Sequence, residues 1–229
     1  MKNPFATLIF RIKLFQVLLI IFIGMITQFL LPVTAIEAQS SQQPQSLVAI
    51  EDPVLEKWMR GFINKPTGEI TTSDWLAVTE VEIPNANLTS LTGLENATNL
   101  RRLNINENRV SDLSPLSALP RLRNLEIRDN LISDLSPLEG LPSLNYLYAW
   151  NNRITDVTPL NRIIPLKYAY LGENSITDIS PLRDMQANLS GLALDSNRII
   201  DATPLEGWDK LTYLSLAYNN IRDIEFVKN

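Results

Sequence analysis

The chain of 229 residues contains no cysteine and no histidine. The lack of cysteine removes disulfides, the thiolate nucleophile and thiolate metal ligands, and leaves no cysteine to carry an acyl anchor. With histidine also absent, the commonest general base and the usual nitrogen ligand for zinc are missing. An enzyme built on this chain would have to rely on carboxylate, lysine, tyrosine or serine chemistry. The acidic pairs Glu80/Glu82 and Glu107/Asp129 are expected to be solvated, so no catalytic residue, no metal and no cofactor is assigned. Basic charge is also scarce. Of 20 Lys and Arg, three fall within residues 1–35, which contain no acidic residue; the remainder has 17 basic against 25 acidic residues, a formal charge of −8. Such a balance excludes nucleic acid as the expected partner.

Charge is missing altogether from Leu14 to Ile36, a stretch preceded by Lys2, Arg11 and Lys13 and containing seven consecutive apolar residues from Val17 to Ile23. This pattern predicts an export signal over 1–35, with small-residue cleavage sites at Val33-Thr34-Ala35 or Ile36-Glu37-Ala38. The alternative is an uncleaved membrane anchor over residues 14–36, since the stretch is near the length needed to span a bilayer. Thr27, Gln28 and Pro32 weaken its distal end and favour cleavage. In either case the positive-inside bias places everything after Ala38 outside the cytoplasm. Export without disulfides fits a bacterial envelope, and the domain could be secreted, periplasmic or held at the cell surface. Residues 36–50 read as a polar linker.

Beyond residue 75 the sequence is periodic. Asn108, Asn130, Asn152, Asn174, Asn197 and Asn219 recur every 22 residues with a single step of 23, each inside the pattern L-x-L-x-x-N-x-I-x-D. A unit of this size cannot close a core alone, so the repeats must stack as a solenoid. Within one unit, Leu125-Glu126-Ile127 alternates as a short strand does, and stacking predicts a parallel sheet on one face. The asparagines form a structural ladder, because one amide supplies two donors and an acceptor for backbone groups exposed at the turn. Asp112, Asp134, Asp156, Asp178, Asp201 and Asp223 follow four residues later and are expected to brace the bend. Metal binding by this column is disfavoured, since each unit supplies one carboxylate there. The pairs Ser114-Pro115, Ser136-Pro137, Thr158-Pro159, Ser180-Pro181 and Thr203-Pro204 predict short 3₁₀ turns on the other face, each capped by its hydroxyl with proline at the first helical position.

The repeats resemble leucine-rich repeats of the internalin type over roughly Glu51 to the C-terminus. Asp52-Pro53 opens a predicted helix whose Val54, Leu55, Trp58, Met59 and Phe62 share one face, and Ile70 to Leu76 gives a second short helix; together these resemble that family's N-terminal cap. The first repeat is degenerate, with Ala86 at the asparagine position and Gly93 at the proline position. The expected fold is thus an α/β repeat solenoid: a leucine-rich-repeat horseshoe with a concave parallel β-sheet, convex short 3₁₀ turns and an N-terminal helical cap. Residues 51–75 form the cap, and 76–229 hold one degenerate and six regular repeats. The last repeat is incomplete, with Phe226 and Val227 where proline and leucine would stand. That end is expected either to fray or to self-associate.

Function is expected on the concave face, at positions two, four and six before each asparagine and immediately before it. All six tyrosines fall there. Strand spacing sets Tyr146 beside Tyr168 and Tyr148 beside Tyr170, with Trp150 at the edge. Tyr146, Tyr148, Trp150, Tyr168, Tyr170, Tyr213, Tyr218 and Arg128 are the candidate ligand-binding residues. Aromatics also have high β-propensity, so sheet support is the competing explanation. The N-terminal repeats, however, build the same strand with Arg102, Asn104, Glu126 and Arg128. Gly172 and Gly191 are expected to leave room beside Trp150 and Tyr170 for a partner side chain or a sugar ring. The resemblance and the aromatic face imply a protein or peptide partner, with a glycan as the alternative.

Overall fold

Seven three-residue strands form one parallel sheet, in the same order as in the chain. The structure is a computed structural model and describes residues 46–223. The predicted leader, the linker up to residue 45, and Phe226 and Val227 lie outside the described residues. The strands are β1 (Glu80–Glu82), β2 (Arg102–Asn104), β3 (Asn124–Glu126), β4 (Tyr146–Tyr148), β5 (Tyr168–Tyr170), β6 (Gly191–Ala193) and β7 (Tyr213–Ser215). Each pairs with the next without slippage, so that Glu80, Arg102, Asn124, Tyr146, Tyr168, Gly191 and Tyr213 stand in one column. The central residues Val81, Leu103, Leu125, Leu147, Ala169 and Leu192 point inward and are fully buried. A register slip of one residue would turn each of them to solvent, so the alternation itself fixes the pairing.

The core runs unbroken through the repeats because each unit contributes the same apolar set: Leu122, Leu125, Ile127, Ile132 and Leu138 are fully buried, Leu135 almost so. At each turn the asparagine amide ties its own repeat to the one before. Asn130 accepts the Val110 N–H at 3.0 Å and donates to the carbonyls of Ile105, Ile127 and Arg128 at 2.9, 3.2 and 3.1 Å. Asn108, Asn152, Asn174 and Asn219 make the same bonds in their own repeats. Asn197 does so as well, reaching back one residue further to Ile176 and Leu171. The extra residue is taken up on the convex side, where the 3₁₀ turn Ser180–Ala187 extends to eight residues and the pairing of β5 with β6 is undisturbed.

The convex turns are 3₁₀ segments: Leu94–Asn96, Ser114–Ala118, Ser136–Leu138, Thr158–Arg162, Ser180–Ala187 and Thr203–Leu205. Their capping differs from the sequence expectation. The hydroxyls do not cap, and proline takes the second helical position. The capping group is the aspartate. Asp112 accepts the Ser114 N–H at 2.8 Å and the Ser114 hydroxyl at 2.6 Å, and Asp134, Asp156, Asp178 and Asp201 accept the equivalent N–H groups. A carboxylate two residues ahead reaches the first free N–H better than a hydroxyl on the same residue, and charge strengthens the bond. The Ser114 hydroxyl and N–H hold the Asp112 carboxyl below its ordinary value; the hydroxyl and N–H of Thr158, and the N–H and hydroxyl of Thr203, do the same for Asp156 and Asp201.

The cap consists of helices α1 (Pro53–Phe62) and α2 (Thr72–Trp75). Leu55, Met59 and Trp75 are fully buried, whereas Phe62 is exposed and stacks on Trp58 at 5.3 Å between centroids, so the predicted apolar face is narrower than drawn. The second helix starts at a capping box in which the Asp74 carboxylate accepts the Thr71 N–H at 2.8 Å. Residues 46–50, read above as the end of the linker, lie along the cap: Leu47 bridges Thr71, the Val48 N–H donates to Ile70, and Ile50 packs on the core. Gly93, with φ of 104°, lets the backbone of Ala49 approach, because a Cβ there would meet the Ala49 carbonyl oxygen at 3.1 Å. Asp52 fastens the cap to the repeats. It caps α1 through the Val54 N–H at 2.8 Å and accepts the Thr89 N–H at 2.7 Å, the Thr89 hydroxyl at 2.8 Å and the Ser90 N–H at 3.2 Å. Burial raises the Asp52 carboxyl pKa, but these four donors outweigh it and the net shift is downward.

Two outcomes follow from these contacts. Asn130→Ala strands the Val110 N–H and the Ile105 carbonyl in a dry turn and should cost about 2 to 4 kcal/mol, read as a shift in denaturant midpoint at unchanged m-value. In acid, the depressed carboxyls of Asp52, Asp112, Asp156 and Asp201 stay ionised in the folded chain while the unfolded chain takes up protons near the ordinary carboxylate value of 3.8. Their stabilisation is therefore complete well above that pH and is lost as pH falls through and below it. Melting temperature measured between pH 6 and 2.5 should drop less steeply in an Asp112→Asn/Asp156→Asn/Asp201→Asn variant, which keeps an acceptor but removes the titration.

Candidate binding face

Outward side chains of the sheet fall into columns, and the columns change character along the solenoid. In the N-terminal half the outward charges other than Glu80 pair with one another. Arg102 lies 3.7 Å from Glu82 and 3.2 Å from Glu126, while Arg128 pairs with Glu107 and lies 3.2 Å from Asp129. Asn106 Oδ1 accepts the Arg128 N–H at 2.8 Å. The two acidic pairs considered for catalysis are therefore committed in part: Glu107 and Asp129 both hold Arg128, and Glu82 faces Arg102. Arg128 itself is held by these carboxylates beside the aromatic region.

In the C-terminal half the rings meet. Tyr146 stands beside Tyr168 and Tyr148 beside Tyr170 in strict register. Tyr170 is the hub, with centroids 5.6 Å from Tyr146, 6.0 Å from Tyr148, 6.5 Å from Tyr168 and 5.9 Å from Tyr213. Three of these contacts are edge to face, at interplanar angles of 61°, 79° and 65°. That geometry is favoured by the ring quadrupole. Tyr213 reaches Tyr170 across β6 because the intervening outward residues are Gly191 and Ala193. Burial, followed by the neighbouring Tyr170, Glu126 and Tyr148, raises the pKa of Tyr146; burial, followed by Tyr168 and Tyr213, raises that of Tyr170. Both phenols keep their protons at neutral pH and remain hydrogen-bond donors.

The two glycines do not leave open space. A Cβ on Gly172 would lie 2.5 Å from Trp150 Cζ3, and one on Gly191 would lie 2.8 Å from Tyr168 Cδ1 and 3.4 Å from the Tyr170 hydroxyl. Each glycine is a seat for a ring leaning from the preceding repeat, so the expected room for a partner side chain is already filled. Trp150 rests there, outside the tyrosine ring contacts. Tyr218 also stands apart, 85% exposed and with a φ of 56°.

That φ belongs to a feature the sequence reading missed. The residue before each of the six ladder asparagines, and before Ala86 in the degenerate first repeat, is left-handed: Asn85, Glu107, Asp129, Asn151, Glu173, Ser196 and Tyr218 have φ between 50° and 59°. The column serves the turn first and the binding face second. The only signal in the sequence was Asn85, Asp129 and Asn151, three of the seven, since Asn and Asp are the non-glycine residues that tolerate this conformation best.

Next to the Trp150 seat, Asp195 is 8% exposed on the same outward column, and its Oδ1 is covered without a hydrogen-bond partner. Among the described residues no helix is long and apolar enough to cross a membrane.

The description "Leucine Rich repeats (2 copies)" fits residues 120–162. Among solved structures, internalin C2 from Listeria monocytogenes is similar at 27% identity and a TM-score of 0.62, over 78% of this chain and 89% of that one. A leucine-rich-repeat protein of Leptospira interrogans is similar at 26% identity and a TM-score of 0.60, over 64% of this chain and 38% of its own. No curated protein matches the sequence significantly. The 22-residue register, the seven-stranded parallel sheet with its 3₁₀ turns and these likenesses show a leucine-rich-repeat solenoid similar to the internalin structures.

Proposed function

We propose that the domain is an exported binding module that captures a protein or peptide partner on the aromatic half of its concave face, through Tyr146, Tyr148, Trp150, Tyr168, Tyr170 and Tyr213. Leucine-rich-repeat domains of this type bind protein partners. The observation that carries the reading is the contrast between the two halves of one sheet. Where the fold is built with polar residues, their charges pair with each other; where it is built with rings, none of the tyrosine hydroxyls hydrogen-bonds to another described residue. Large, pre-packed rings with free polar tips give contact area at low entropic cost and are typical of binding hot spots. The edge-to-face relief favours a protein over a glycan, since a row of sugar rings would stack best on coplanar faces. Export is supported by residues 1–35 alone, and the uncleaved anchor is its alternative form.

The test is capture from envelope extract by the domain and by a Tyr148→Ala/Trp150→Ala/Tyr170→Ala variant of verified fold. Loss of a partner in the variant is the expected result; equal capture by both would leave the tyrosines as sheet support and move the site elsewhere. Gly172→Ala sharpens the test. The new methyl must displace the rim of the Trp150 ring, a surface side chain that can swing away, so the melting temperature should hold while affinity falls about tenfold. Affinity should also be flat from pH 6 to 9 and decline above the ordinary phenol value of 10.0, as the raised pKa values of Tyr146 and Tyr170 are reached.

A further inference from the structure

The aromatic half of the face lacks a positive charge of its own. In the third to sixth regular repeats the outward positions from six before the asparagine to the one just before it hold no lysine or arginine, yet they include Glu173 and Asp195. Neither makes a salt bridge or a side-chain hydrogen bond with another described residue. Asp195 is the more telling of the two. It follows Ala193 on the outward side, between Gly172 and Ala217 in its column, and Leu192 and Leu194 on either side of Ala193 point into the core and are fully buried. The residue as a whole is 8% exposed, and its Oδ1 is covered with no donor. Burial without donors is costly, and a native fold tolerates it where something else completes the group. The Trp150 ring lies against Gly172 beside it, held there because glycine removes the obstructing methyl.

Building on the binding function proposed above, we infer that Trp150 and Asp195 form a subsite for a basic side chain, lysine or arginine, presented by the protein or peptide partner. The aromatic face attracts the cation through its quadrupole, and the donor-poor carboxylate supplies the counter-charge and accepts its N–H groups. The Trp150 ring fills the Gly172 side of Asp195, and the small Ala217 on the other side lets a long aliphatic stem approach. The acidic balance of the chain outside residues 1–35 adds a favourable long-range field for such a partner.

The subsite is tested with blocked tripeptides, acetyl-glycyl-arginyl-glycinamide and its lysyl and glutaminyl counterparts, titrated into the ¹⁵N-labelled domain. Saturable shifts of the Trp150 indole N–H and the Asp195 and Ala217 amides, with a dissociation constant on the order of 1 mM for the two basic peptides and none for the glutaminyl one, are expected. Asp195→Asn should weaken them at least tenfold while holding or raising the melting temperature, because no native donor is lost. Equal response to the glutaminyl peptide, no response to the basic ones, saturable shifts from glucose or N-acetylglucosamine instead, or a lower melting temperature in Asp195→Asn would each overturn the subsite. Capture from extract separates the two readings. A partner lost in the aromatic triple variant but retained by Asp195→Asn leaves the binding face standing and removes the subsite, whereas a partner retained by the triple variant removes the binding face itself.

Discussion

One hydrogen-bonding group governs this molecule: the asparagine side chain at the end of each short strand. It accepts an N–H from the preceding repeat and donates to a carbonyl of that repeat and to carbonyls of its own, so a single amide carries the coupling between units. A 22-residue unit has too little apolar surface to fold alone, and each gains its stability at the interface with its neighbour. The ladder makes those interfaces equivalent. Equivalence in turn holds the strands in a constant register, and constant register turns positions in the sequence into columns on the surface.

Everything outward on the concave face depends on that constancy. Tyr146, Tyr148, Tyr168 and Tyr170 come from two repeats and would be unrelated if the strands slipped; locked in register, they pack as one cluster with Tyr213. The insertion near Arg183 shows how strongly the ladder dominates. Asn197 reaches one residue further along the chain to the same kind of partners, and the surplus is absorbed in a longer 3₁₀ turn. A convex change of that size leaves the face continuous, which is why the aromatic cluster crosses from β5 to β7.

Periodicity made the fold legible in the sequence, since a repeated asparagine and alternating apolar positions leave few arrangements that bury the core. The tyrosine columns were legible for the same reason. What the sequence did not reveal were the relations that need a third dimension. Glycines at 172 and 191 looked like gaps, because removing a side chain from a column leaves space unless a neighbouring ring leans into it, and only the ring positions decide that. The aspartates' capping role was assigned to the hydroxyls, because both groups sit within reach along the chain and carboxylate geometry decides between them. The left-handed column was read as pure surface, since Asn, Asp and Glu fit either description until φ is known. Residues 46–50 looked like linker because their anchorage, a bridge to Thr71 and a close pass over Gly93, involves partners more than 20 residues away.

The two halves of the sheet also differ in what they leave unfinished. Arg102 and Arg128 are surrounded by carboxylates from neighbouring strands, so the charges there are largely spent within the fold. Asp195 lies on the same kind of column with no such neighbour, between small residues and beside an indole seated on glycine. Stability alone would favour an apolar or amide side chain at that position, because the ladder and the core beneath it need nothing from the carboxylate. A solenoid divides these demands cleanly: inward and turn positions carry the fold, while three outward positions per repeat are free of it. The rings and the unpaired carboxylate sit on those free positions, at the end of the face where the fold's own charges do not reach.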